Sequence, residues 1–128
     1  MASIIITNNP YVYEKYKDNK EIIYKEGSDY LQVLDFVRDK IHNGHQLLTH
    51  PLSGSIKPNE TPYKTILISK EKGELDQDGV RILEESVATV KKFISDKPTP
   101  DWVEHVLDDF RVIDLSLIEN VIDRLGRG

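Results

Sequence analysis

Apolar residues occur in this chain as short runs separated by longer stretches where they recur every three or four positions, the pattern of an α/β domain. Ser3–Thr7 carries three consecutive isoleucines and reads as a strand buried on both faces. Asn9 follows as a helix N-cap with Pro10 at the first helical position, where a missing N–H costs nothing. The short helix from there can bury Val12, Tyr13 and Tyr16. Residues 21–25 form a second, more polar strand suited to a sheet edge. Ser28 or Asp29 caps the next helix, whose apolar face is Tyr30, Leu34, Val37 and Ile41, and Gly44 ends it.

Residues 45–49 read as a third strand and residues 64–69 as a fourth, centred on Ile66, Leu67 and Ile68. Val80, Leu83, Val87, Val90 and Ile94 then recur at alternating steps of three and four, which predicts an amphipathic helix over about residues 78–95. Lys97-Pro98-Thr99-Pro100 breaks it. Thr99 and Pro100 start another helix, burying Val103, Val106, Leu107 and Phe110. Ser116 with Glu119 has the spacing of a capping box for a final helix burying Ile118, Val121, Ile122 and Leu125. The expected fold is a single α/β domain over residues 1–128. It has three layers: about four mostly parallel strands in the order 2-1-3-4, helices on both faces and extra C-terminal helices. Strand 4 follows a loop rather than a helix, so an antiparallel edge is the alternative.

The segment between strands 3 and 4, residues 49–64, is too long for a tight turn and holds Pro51, Pro58 and Pro62 with Gly54. Prolines restrict their own φ and the residue before them, while loops of this length inside compact domains are often functional. The segment is expected to fold over the carboxyl end of the sheet, with His50 partly buried.

Composition narrows the chemistry. The chain has 128 residues and no cysteine, which excludes a disulfide framework, a thiolate metal site and a cysteine nucleophile. A net charge of −5 argues against general nucleic-acid binding. No apolar segment approaches the roughly 18 residues of a membrane span. Met1-Ala2-Ser3 leads directly into a strand without the regions of a signal peptide, so the cytoplasm is the expected location. Residues 101–128 carry 3 Lys and Arg against 7 Asp and Glu, whereas Lys57, Lys64 and Lys70 face only Glu60 within residues 49–70.

One resemblance adds to this reading. Ile5-Ile6-Thr7-Asn8-Asn9-Pro10 with Tyr13-Glu14-Lys15-Tyr16 looks like the GrdX family, as does His50-Pro51-Leu52-Ser53-Gly54-Ser55 with the stretch Lys57 to Lys64. Ile68-Ser69-Lys70-Glu71-Lys72-Gly73-Glu74-Leu75-Asp76 resembles it too, so the likeness covers most of the chain. The resemblance implies a role beside the glycine, sarcosine and betaine reductases of amino-acid-fermenting bacteria, and carries over no catalytic residue. Those reductases use selenol and thiol chemistry. A chain without cysteine cannot relay electrons by thiol–disulfide exchange, so the implied role is non-redox and accessory, exercised by binding.

The histidines do not assemble a metal site: His42 lies at a helix end, and His45 and His50 sit at opposite ends of a strand about 16 Å long. Ser53-Gly54-Ser55 matches neither a nucleophile elbow nor a phosphate loop, and the first strand lacks the Gly-rich turn of dinucleotide folds. Tyr11, Tyr13 and Tyr16 read as packing residues. No cofactor is expected. Ligands of open α/β sheets bind beyond the strands' carboxyl ends, here Thr7-Asn8-Asn9, Thr49-His50 and Ser69-Lys70, with the first helix N-terminus beside them. The candidate ligand set is therefore Asn8, Asn9, His50, Ser53, Gly54, Ser55 and Lys70, suited to a small carboxylate or phosphate metabolite. The alternative is a docking or assembly factor for a reductase subunit, with self-association open, using the loop or the acidic helices. A hydrolase or transferase with His50 as base lacks a nucleophile and an orienting carboxylate.

Overall fold

The computed structural model describes residues 2–54 and 56–127. Its elements are β1 (Ser3–Thr7), α1 (Pro10–Tyr16), β2 (Ile22–Tyr24), α2 (Tyr30–His42), β3 (Thr65–Ser69), α3 (Gln77–Asp96) and α4 (Glu104–Arg127). Sequence chemistry sets most of the boundaries. The Asn9 side chain accepts from the Tyr11 N–H ahead of Pro10. Asp29 and Gln32 close a reciprocal capping box on α2. Gly44 takes φ +106 behind α2, and a Cβ there would lie 2.9 Å from the Gly73 carbonyl oxygen, so both conformation and space require glycine.

The sheet has three strands in the order β2-β1-β3. β1 and β2 are parallel, with Ile5 opposite Ile22, whereas β1 and β3 are antiparallel, with Ile5 opposite Leu67. The expected four-stranded, mostly parallel sheet in the order 2-1-3-4 is thereby overturned. Residues 65–69 take the place beside β1 that was expected for residues 45–49. The latter lie on the outer side of β3, joined through the single Leu47–Ile68 bridge. Side chains explain why they form no regular strand. The N–H groups of Gln46 and Leu67 donate to Ser69 Oγ and Thr49 Oγ1, positions that a ladder would fill with carbonyls, while the Leu47 N–H, on the side away from β3, donates to Asp76 Oδ2.

Alternation along the central strand divides the core. Ile4 and Ile6 face α2 and α3 with Leu34, Val37, Leu83 and Val90, while Ile5 faces α1 and α4 with Val12, Tyr16 and Ile118. The stripe foreseen on α3 packs as expected, with Leu83, Val87 and Val90 buried and Val80 and Ile94 at its margins.

A second correction concerns the C-terminal segment, which is one helix rather than two. Trp102 N–H donates to the Pro100 carbonyl in a turn, and α4 then runs without interruption from Glu104. Ser116 and Glu119 lie inside it. A capping-box spacing cannot stop a helix when neither glycine nor proline interrupts residues 104–125. No helix of the described residues is long and apolar enough to cross a membrane.

Candidate functional site

The most constrained chemistry in the molecule lies where β3, the loop before it and α4 meet. Thr65 begins β3 and Lys64 precedes it, so a buried strand end carries both residues inward; they are 3% and 7% exposed. Asp114 is placed by α4 on the helix side that also bears Ile118, and it is 6% exposed. Ser53 and Gly54 cross above in the loop. Together these residues line a cavity of about 290 Å³, with Leu117, Ile118 and Val121 of α4 also in its lining and the exposed His50 and Arg124 at its rim.

Hydrogen bonds order this interior. Asp114 Oδ2 accepts from Thr65 Oγ1 at 2.7 Å and from Asn9 Nδ2 at 3.0 Å. The Thr65 hydroxyl has a single proton, and it goes to Asp114. Thr7, whose Oγ1 lies 2.7 Å from that of Thr65, therefore donates to it, while Thr7 Oγ1 accepts from the Asn9 N–H at 2.9 Å. Lys64 Nζ donates to Ser53 Oγ at 3.0 Å.

Burial disfavours both charges. It pushes the Asp114 carboxyl above its ordinary value, against the downward pull of the Asn9 and Thr65 hydrogen bonds and of the Lys64 charge. It pushes the Lys64 ammonium below its ordinary value, with the Asp114 charge acting in the opposite direction. An acid held up and a base held down in one cavity is a common mark of a functional site.

The expected site residues divide. His50, Ser53 and Gly54 line the cavity. Contrary to expectation His50 is exposed, and its Nδ1 accepts from the Leu52 N–H at 3.0 Å, which leaves Nε2 as the ring nitrogen open to a ligand. Asn9 stands behind the cavity and acts through Asp114. Asn8 is spent on structure: its Nδ2 donates to the Ser28 and Pro62 carbonyls, both at 2.8 Å, and its Oδ1 accepts from the Lys64 N–H at 2.9 Å. It lines a separate cleft with Tyr63 and Arg111. Lys70 is excluded by topology, because antiparallel β3 carries it to the start of β1, where its N–H bonds the Ala2 carbonyl at 3.0 Å. Ser55 lies outside the described residues. The α1 N-terminus offers no anion site, since its own Asn9 caps it.

Lys64, Thr65, Asp114 and Arg124 were not foreseen as site residues. A signal for Asp114 existed, as it falls four residues from both Phe110 and Ile118, a carboxylate on an apolar stripe. Placing a helix start at Ser116 left it in a supposed linker.

Comparison with known proteins gives one match. A family model described as GrdX-like protein covers residues 4–123. No curated protein and no solved structure matches the chain.

Proposed function

The chain belongs to the GrdX-like protein family, and from that premise we propose that it is a non-redox accessory protein of glycine, sarcosine or betaine reductase metabolism, binding a small carboxylate or phosphate metabolite. The family membership supports the setting, and the absence of cysteine removes thiol exchange as its contribution. The binding site of this reading is the cavity under the loop. The observation that carries it is the burial of Lys64: a lysine 7% exposed, its ammonium donating to Ser53 as a neutral partner, in a space large enough for a ligand of a few heavy atoms. An ammonium has three donors, and an anion would meet the charge that Ser53 leaves uncompensated. His50 and Arg124 at the rim add polar contacts.

Thermal-shift titration with acetate, inorganic phosphate and acetyl phosphate tests this reading. A ligand at 100 times its Kd stabilises the folded state by about 2.7 kcal/mol, which moves the midpoint measurably. The shift should disappear in Lys64→Met. No shift with any of the three would leave the anion site without support.

Docking to a reductase subunit is the second reading. The observation in its favour is the exposed apolar surface of α4, where Val112, Ile113, Leu117 and Leu125 are each at least 38% exposed. Pull-down of purified reductase components, compared with a Val112→Lys and Ile113→Lys double variant, tests it.

A further inference from the structure

The class of ligand can be narrowed, on the premise that the cavity just described is the binding site. Lys64 and Asp114 both line it, and both are buried. Among the ion pairs of the described residues, none joins the two. Each is held instead by neutral groups, Lys64 by Ser53 and Asp114 by Asn9 and Thr65. Neutral partners orient a buried charge without cancelling it; Lys64 and Asp114 act on each other without pairing, and a buried charge so incompletely compensated is costly. Two donors converge on Oδ2 of Asp114, so the orientation of its carboxyl group is fixed.

A lone anion would meet Lys64 but add negative charge to a cavity that already holds Asp114. A lone cation would do the reverse. A molecule carrying both charges, separated by a short carbon spacer, compensates both protein groups and adds no net charge to the cavity. We propose that the ligand is a small zwitterionic amino acid, its carboxylate on Lys64 and its ammonium on Asp114. Ser53 then positions the lysine, and Asn9 with Thr65 positions the aspartate, so both charged groups are oriented before the ligand arrives.

Calorimetry with two near-isosteric pairs, glycine against propionate and β-alanine against butyrate, isolates the ammonium at two spacer lengths. At least one zwitterion should bind about tenfold or more tightly than its monoanion, a difference of about 1.4 kcal/mol. Asp114→Asn keeps the side-chain shape and should remove that preference without weakening the monoanion. Lys64→Met should abolish binding of both. Monoanions binding as tightly as both zwitterions overturn the assignment while leaving the anion site standing, as does a preference that survives Asp114→Asn in a variant with native circular dichroism. If none of the four binds, and acetate, phosphate and acetyl phosphate give no thermal shift, the cavity reading falls as well. The comparison on the unsubstituted protein decides the matter even if a variant fails to fold.

Discussion

The Asn9 side chain lies 3.0 Å from Asp114 Oδ2, which ties the cap of α1 to the buried carboxylate of α4. One amide therefore serves two elements: its oxygen accepts from the Tyr11 N–H and its nitrogen donates to Arg111 O and Asp114. Asn9→Asp preserves the cap but sets a second carboxylate against the first. It should destabilise the fold by about 1–3 kcal/mol, more than Asn9→Ser, which keeps the cap and adds no charge. Urea unfolding of the two variants at neutral pH gives the comparison. An aspartate as stable as the serine would show that Asp114 does not feel this position.

Asp114 should leave a mark on the pH dependence of stability. Its folded-state value is raised by burial, so its favourable contribution is complete below the unfolded value of about 4 and is lost as pH rises through the folded value. Asp114→Asn lacks this segment. Relative to that variant, the unsubstituted protein should lose stability as pH rises from about 4. Parallel profiles in urea titrations between mild acid and neutrality would contradict the burial argument.

Lys64 gives the converse profile. Burial lowers its folded-state value, so the unfolded chain binds the extra proton between that value and the ordinary lysine value near 10.4, and stability rises with pH across this window. Lys64→Met removes the window and retains much of the stem. Its stability at neutral pH should fall by less than about 1 kcal/mol or increase, although its ligand binding is lost. A large loss of stability would make Lys64 chiefly structural.

Leu83 is fully buried between α3 and the sheet. Leu83→Ala should cost about 2–5 kcal/mol in chemical denaturation. A change below about half a kcal/mol lies in the range of exposed positions and would remove this residue from the core.

Ser116 tests the continuity of α4. Inside a helix and exposed, it should accept alanine with a small gain in stability, because alanine is the better helix former. As an N-cap it would lose about 1 kcal/mol on the same change. The sign of the Ser116→Ala effect decides between the two.

Local signals were legible wherever chemistry and period agreed. Asn9-Pro10, Ser28-Asp29, Gly44 and the α3 stripe each state a boundary or a face without reference to the rest of the chain. Strand neighbours were not legible, because β1 can pair with any apolar run and nothing in residues 45–49 announces that side chains will take over their backbone bonds. The loop half of the candidate cavity, His50 to Gly54, could be read from proline spacing, while its α4 half depended on a helix boundary that the sequence suggested wrongly. Lys70 was misplaced for the same reason as the strand order: a reversed β3 sends its end to the opposite edge of the sheet.

The reversal of β3 also governs when the cavity comes into being. The strand closing the sheet pairs Thr65 with Thr7, and the carboxylate completing the polar interior comes from residue 114. Before those segments exist, β1 has only the three residues of β2 beside it, too little sheet to persist in water. Contacts this distant in sequence form slowly, since the intervening chain must be ordered first. During synthesis a nascent chain thus has no cavity to offer until nearly all of α4 has emerged. A small molecule that fits the cavity would come too late to assist the early collapse, and would act only by stabilising the finished fold.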